Sequence, residues 1–393
     1  MNLTNDQYYG LHKLERWYHK SHHQIIEISG IIGTGTWQLV QTFIDHEEFD
    51  SREIMYLSYD QKQVLELAAR RYHAYYINNI IYNYIRIVDF DTLNIINPNS
   101  KVTEYEWKKE VRKRINKDYK LMIVFDSMLL SYSAINDLAS FGIPIILLRD
   151  PMLLPSPDTY TFLRDANIEL REPHPELVKN PIVYFAHKII TRSKIKFGNY
   201  DIVSVVPRKQ MNLYNLKSSN MNITMSEKSR NEINMIYREK ILKQKSIINV
   251  LNERMICMEN MYSHRLVNRD EKKIKVYLTK GTVGYISKIN KHAMNTKYVP
   301  IEFRPEFYFE SFTDLILDRH KLNKINVPSR QIIPDETVNL EYAYALTPVL
   351  SRVSHWDKVT LLIDPLEIQD EELYVRSVYT AITRARRSLT IIM

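Results

Sequence analysis

Cysteine is nearly absent from this 393-residue chain, where Cys257 stands alone. A single thiol excludes a disulfide framework and a cysteine-built zinc site. Long apolar runs are missing too: none approaches the roughly 18 residues of a membrane-crossing helix. Met1-Asn2-Leu3-Thr4-Asn5-Asp6-Gln7 has neither the basic region nor the apolar segment of a signal peptide. The expectation is a soluble chain working in the cytoplasm, the host's if a phage encodes it. Glycine is also scarce, with 8 residues where average usage of about 7% would give roughly 27. A chain this poor in glycine keeps one where the backbone requires it.

What is present fits two or three globular domains at roughly 100–200 residues each. Hydrophobic residues make up 45% and charged residues 25% of the chain. Mean hydropathy is −0.34, the net charge is +8 and the pI is about 9.1. The positive excess is local, since residues 179–275 carry 20 Lys and Arg against 8 Asp and Glu. Such a block suits phosphate backbones. Solvated lysines are the plainer alternative, and Lys240-Ile241-Leu242-Lys243-Gln244-Lys245 reads as the outer face of a helix.

Three of the eight glycines, Gly30, Gly33 and Gly35, fall within six residues. Before them Gln24-Ile25-Ile26-Glu27-Ile28-Ser29 reads as a short buried strand. After them Trp37-Gln38-Leu39-Val40-Gln41-Thr42-Phe43-Ile44 has helical spacing of apolar residues. Strand, glycine turn, helix is the setting of a phosphate-binding loop, with backbone N–H groups and a helix N-terminus facing an anion. The template G-x-x-x-x-G-K-[ST] laid on Gly30-Ile31-Ile32-Gly33-Thr34-Gly35-Thr36-Trp37 matches both framing glycines. Thr36 then stands in place of the lysine, and Trp37 in place of the magnesium-binding hydroxyl. A tight strand-to-helix turn that only looks like a phosphate loop is the bland alternative.

Further stations follow in order, and together they resemble superfamily 1 helicases of the RecD/Dda type, the 5′-to-3′ class. Leu3-Thr4-Asn5-Asp6-Gln7 looks like that family's adenine-contacting Q motif, with Gln7 its glutamine. Leu121-Met122-Ile123-Val124-Phe125-Asp126 resembles a central strand ending in the Walker B acid, and Ser127 replaces the family's glutamate. Arg149-Asp150-Pro151-Met152-Leu153-Leu154-Pro155 is similar to G-D-P-x-Q-L-P, with Leu153 in place of the γ-phosphate sensor. In Leu170-Arg171-Glu172-Pro173-His174-Pro175 the clamp arginine of the family has become Pro175. Ile223-Thr224-Met225-Ser226 through Arg238 resembles the family's T-N-x-T-R-x-x-x-N-x-x-x-R segment. Arg254–Asn260 and Lys280–Ile286 look like the edges of a small SH3-like insertion. Tyr344-Ala345-Leu346-Thr347 opens motif V, with Ser351, Arg352 and Trp356 following. Tyr379-Thr380-Ala381-Ile382-Thr383-Arg384 is an intact motif VI, whose arginine is Arg384.

The resemblance implies an α/β fold of two RecA-like P-loop lobes with the SH3-like β insertion in the second. The expected partition is 1–200 for the first lobe, 201–253 with 337–393 for the second, and 254–336 for the insertion. Within the first lobe, residues 84–118 fit a small inserted pin, followed by a helix in the charged stretch Glu104-Tyr105-Glu106-Trp107-Lys108-Lys109-Glu110. The resemblance also implies a nucleotide site of Gln7, Gly30, Gly33, Thr34, Gly35, Thr36, Trp37, Asp126, Ser127, Leu153, Pro175 and Arg384. Five of those twelve positions carry uncharged replacements of catalytic groups. Single electrostatic contacts of this kind are worth about 10²–10³ in rate, so turnover should be abolished. No resident cofactor is expected, with ATP and Mg²⁺ the ligands if the site is competent. Asp126 reads equally as a metal ligand or a helix cap, and Arg384 reads as a salt bridge between lobes.

Arg70-Arg71-Tyr72 are nucleic-acid candidates, because single strands bind where aromatic faces line basic grooves, and the resemblance to motif V adds Thr347, Ser351, Arg352 and Trp356. Tyrosine-for-phenylalanine drift in a half-buried helix explains the first three as well. The leading expectation is a helicase fold without ATPase activity. It would hold single-stranded DNA or dock a replication or recombination partner. The alternatives are an active ATP-dependent 5′-to-3′ helicase and a phage or mobile-element regulator that binds protein alone.

Overall fold

The computed structural model describes residues 3–88, 105–115, 118–155, 166–244, 250–267, 275–290, 296–322, 336–364 and 370–393. Lys245 and residues 89–104 and 116–117 of the expected pin lie outside them.

Near-continuous apolar strands build a first sheet buried on both faces, the signature of parallel pairing. Helix α1 (Asn5–Lys20) leads into β1 (Ile25–Gly30), then α2 (Thr36–His46), β2 (Ile54–Ser58), α3 (Gln61–Ala69) and β3 (Ala74–Tyr76). A hairpin of β4 (Tyr82–Val88) and β5 (Tyr105–Val111) follows, before β6 (Leu121–Val124), β7 (Ile145–Arg149) and β8 (Ile168–Leu170). The sheet order is β3-β2-β6-β7-β1-β8, parallel throughout. The charged stretch expected to be helical is instead β5, paired in full antiparallel register from Tyr82 with Val111 to Val88 with Tyr105. Its aromatic Tyr105 and Trp107 alternate with charged Glu106 and Lys108, a period of two that suits a strand.

The helix Pro181–Ile190 crosses to a second sheet, opened by β9 (Gly198–Tyr200), β10 (Val203–Val206) and β11 (Met221–Thr224). The chain then leaves to make β12 (Arg254–Cys257), β13 (Met261–Val267), β14 (Lys275–Leu278), β15 (Val283–Ile289), β16 (Tyr298–Pro305) and β17 (Phe312–Asp318). It continues with β18 (Thr337–Val338) and β19 (Leu340–Tyr342). It returns as β20 (Ala345–Leu346), β21 (Trp356–Leu362) and β22 (Ala385–Ile392). The second sheet runs β20-β11-β21-β22-β10-β9, parallel except for the β9 edge.

The excursion folds as a third sheet, β18-β17-β16-β15-β12-β19, antiparallel except where β17 meets β18, with the β13–β14 hairpin beside it. Gly284 lies where β15 meets β16 so closely that a Cβ would sit 2.3 Å from the Arg304 carbonyl oxygen. Two parallel α/β sheets and one inserted β sheet make up the described fold. No helix among the described residues is long and apolar enough to cross a membrane.

Candidate functional site

Three loops at the C-terminal ends of the adjacent strands β1, β7 and β6 converge, the place where parallel sheets receive ligands. The first is the glycine loop. Gly33 and Gly35 hold φ of +91° and +80°, the left-handed region that side chains avoid. A Cβ at Gly35 would lie 2.3 Å from Gln7 Nε2, and one at Gly33 would lie 2.5 Å from Val183. Both glycines are thus required by backbone twist and by crowding.

That crowding comes from protein groups that take up the loop's polar atoms. The Ile32 N–H donates to the Tyr379 hydroxyl at 2.8 Å, and this hydroxyl donates to the Asp150 carboxylate. His187 Nε2 meets the Ile32 carbonyl at 2.6 Å, and the His174 N–H donates to the Gly33 carbonyl at 2.7 Å. The Thr34 hydroxyl turns back onto the Ile31 carbonyl, and Thr34 is fully buried. Tyr379 comes from the helix Glu371–Ile382 of the second sheet, so the loop is bound across the junction of the two sheets.

Gln7 is 0% exposed. Its Oε1 accepts the Thr4 N–H at 3.0 Å, closing a capping box at the start of α1, and its Nε2 donates to the Gly35 carbonyl at 2.9 Å. The amide that the resemblance assigns to an adenine edge is turned onto the loop.

Thr36 begins α2 and is half-buried. Trp37 packs its indole against Phe125 at 5.3 Å and Tyr56 at 6.2 Å, on the margin of the first sheet's core. Asp126 sits at φ +49° as the N-cap of the short turn Ser127–Leu129, and its side chain makes no capping hydrogen bond. Ser127 is fully buried and its hydroxyl has no partner among the described residues. Those residues hold no group of three or more His, Cys, Asp or Glu suited to a metal. Leu153 is sunk in the hydrophobic core built around the second sheet, whereas Pro175 is exposed.

Arg384 is buried, but among the described residues its guanidinium does not form the ion pair expected from the sequence. It donates to the carbonyls of Thr380 at 3.1 Å and Arg352 at 2.7 Å, and to the Thr383 hydroxyl at 3.1 Å. Burial holds its pKa below the usual arginine value, while Asp126, Asp150 and Asp60 act against that. The same low-dielectric junction pushes the Asp150 and Asp60 carboxyls up to about 6 each.

The nucleic-acid candidates separate. Arg70 and Arg71 are exposed at the end of α3, and the Tyr72 ring lies 4.9 Å from Tyr56. Thr347, Ser351 and Trp356 are buried, contrary to the expectation of a strand-binding face. Ser351 bonds the Pro348 carbonyl and Trp356 Nε1 bonds Glu306, so local turn geometry and the third sheet claim them. Arg352 donates to the Pro155 carbonyl at 2.6 Å, another link between the two parallel sheets. Sequence reasoning missed Tyr379 and Asp150 as site residues, although both stand inside stretches whose resemblance was recognised.

No family model matches the chain, and no curated protein matches it. Solved structures do. The Pif1 helicase from Candida albicans is 11% identical, with all of this chain and 94% of that chain covered and a TM-score of 0.40. The Pif1 helicase from Bacteroides in complex with ADP-AlF3 and ssDNA is 12% identical, with 100% and 92% covered and a TM-score of 0.44. Bacteroides Pif1 bound to ssDNA is 12% identical over the same shares, with a TM-score of 0.42.

Proposed function

We propose that the chain is a superfamily 1 helicase scaffold of the RecD/Dda type that has lost its ATPase. It works as a binding module for single-stranded DNA, or as a dock for a replication or recombination partner. One observation carries this reading: the Ile32 N–H, placed in the loop where a phosphate oxygen would be received, donates to the Tyr379 hydroxyl instead. The substitutions at Thr36, Trp37, Ser127, Leu153 and Pro175 support it, since phosphoryl transfer depends on positioned charge that these side chains lack. Exposed Arg70 and Arg71 and the basic stretch 179–275 supply the charge that a phosphate backbone requires.

The test is a single-turnover assay with ATP, Mg²⁺ and saturating single-stranded DNA. Product formation at the uncatalysed rate is expected, together with a melting temperature that ATP–Mg²⁺ leaves unchanged. Hydrolysis above background would return the chain to the active helicases. Fluorescence anisotropy with a labelled oligonucleotide decides between strand and protein as ligand, because strand binding must weaken with salt.

A further inference from the structure

A cavity of about 680 Å³ opens between α1 and the N-terminal end of β1. The glycine loop follows the other end of that strand, so the two places lie at opposite ends of the first sheet. The size falls within the roughly 300–1,000 Å³ of ligand sites. Its floor is apolar. Trp17, Ile26 and Leu147 line it and are buried, and the Trp17 indole N–H donates to the His23 carbonyl at 2.7 Å, which fixes the ring.

One wall is open backbone. The neighbouring strand β8 pairs with Ile28, Ser29 and Gly30 of β1 and stops there. Asn167 takes the next place with its side chain, whose Oδ1 accepts the Glu27 N–H at 2.8 Å. On the other side of β1, the Ile145 N–H donates to the Gln24 carbonyl at 2.9 Å. Even-numbered residues of β1 therefore bond to β7, and Ile25 turns its N–H and carbonyl to the side that β8 does not reach. Ile25 is half-buried and lines the cavity. A strand edge left open in this way is a template for another extended chain.

The rim is basic. Lys13, Arg16 and Lys20 line the cavity and are exposed, and spacings of three and four place them on one face of α1. Lys13 Nζ donates to the Asn167 carbonyl, which holds that cation beside the open edge. Among the described residues lining the cavity the one carboxylate is Glu27, and Arg149 Nε lies 3.1 Å from its Oε1. Positive charge thus prevails at the rim and draws an acidic ligand. A nucleic-acid strand would use the cations but neither the open edge nor the apolar floor.

We propose that this cleft docks an extended segment of a partner protein, a short apolar stretch flanked by carboxylates. The segment's main chain lies along Ile25, an apolar side chain fills the floor over Trp17, and its carboxylates meet Arg16 and Lys20. The surface depends on neither the glycine loop nor single-strand binding.

The experiment follows, by fluorescence anisotropy, binding of the full-length chain to a fluorescein-labelled peptide, Asp-Asp-Leu-Phe-Leu-Asp-Asp. The peptide Asp-Asp-Gly-Ser-Gly-Asp-Asp is the control without an apolar core. The first should bind at least about tenfold more tightly than the control, and the double variant Arg16→Glu with Lys20→Glu should weaken it by about tenfold or more. An unchanged melting temperature separates that loss from a folding defect, and the milder pair Arg16→Gln with Lys20→Gln should weaken binding in the same direction. Hydrogen exchange at the Ile25 amide should slow in the complex. Equal affinity for the two peptides, no binding of the first, or a double variant within about twofold of wild type overturns the cleft. An Ile25 amide that exchanges as fast with peptide as without it does the same. A double variant that loses a labelled oligonucleotide but keeps the peptide assigns the rim to nucleic acid and also overturns the proposal. ATP hydrolysis by the chain would refute the reading above and leave this cleft standing.

Discussion

Tyr379 is buried, and its hydroxyl serves two groups at once, the Ile32 N–H and the Asp150 carboxylate. Tyr379→Phe keeps the ring and strands both partners in a buried place. The expected loss is about 1–3 kcal/mol in urea unfolding, the usual cost of an orphaned polar group. Asp150 itself has a second consequence. Its carboxyl is pushed up to about 6 by burial, against an ordinary 3.8, so the folded state binds a proton that the unfolded state has released. Its stabilising contribution is therefore full below about 4 and is lost as pH rises through about 6. His355 works in the opposite direction, because burial and then Arg384 hold its pKa well below the ordinary value. Comparing wild type with Asp150→Asn isolates the carboxylate. Asparagine keeps an acceptor for Tyr379, so the variant should gain up to about 3 kcal/mol at pH 7.5 and nothing near pH 4. Unfolding curves at both pH values check this, and an equal gain at each would refute it.

At the scale of elements, α3 is the strut between sheets. Its first residue, Gln61, donates through Nε2 to the Tyr277 carbonyl and the Thr279 hydroxyl, both at 2.8 Å, and accepts the Tyr277 N–H at 2.9 Å. The amide thus imitates a neighbouring strand along β14. Gln61→Ala should cost about 1–3 kcal/mol and speed hydrogen exchange at the Tyr277 amide. Unchanged exchange there would mean that the hairpin holds without the strut. The strand, glycine loop and helix around Gly30–Gly35 were legible in the sequence because glycine is so rare that each retained one marks a constraint. The apolar run Leu121–Val124 likewise betrays a parallel strand. Depth was not legible. Motif spacing singled out Thr347, Ser351 and Trp356, but it carries no information on which side faces water. The partner of the Ile32 N–H lies 347 residues away, and no local pattern encodes so distant a contact.

On the scale of the whole molecule, loops of the first parallel sheet reach into the hydrophobic core built around the second. Leu153, at the end of the first sheet's β7 loop, packs with Ile223, Leu361 and Ile391 of the second sheet, and Ile31, Ile32 and Met152 press against the same cluster. Domains that must open and close keep polar, modest interfaces, whereas a continuous apolar one resists motion. The two parallel sheets should therefore unfold in a single calorimetric transition, with calorimetric and van't Hoff enthalpies in agreement. The same argument separates two substitutions that restore the residues of the resembled family. Leu153→Gln buries an amide among aliphatic side chains with no partner in that cluster. It should cost about 2–4 kcal/mol and split or broaden the transition. Pro175→Arg falls on exposed surface and should change stability by no more than about 0.5 kcal/mol. Paired scans of the two variants test this apolar junction directly. A Leu153→Gln chain as stable as wild type, or a wild type that melts in two steps, would mean that the sheets move independently.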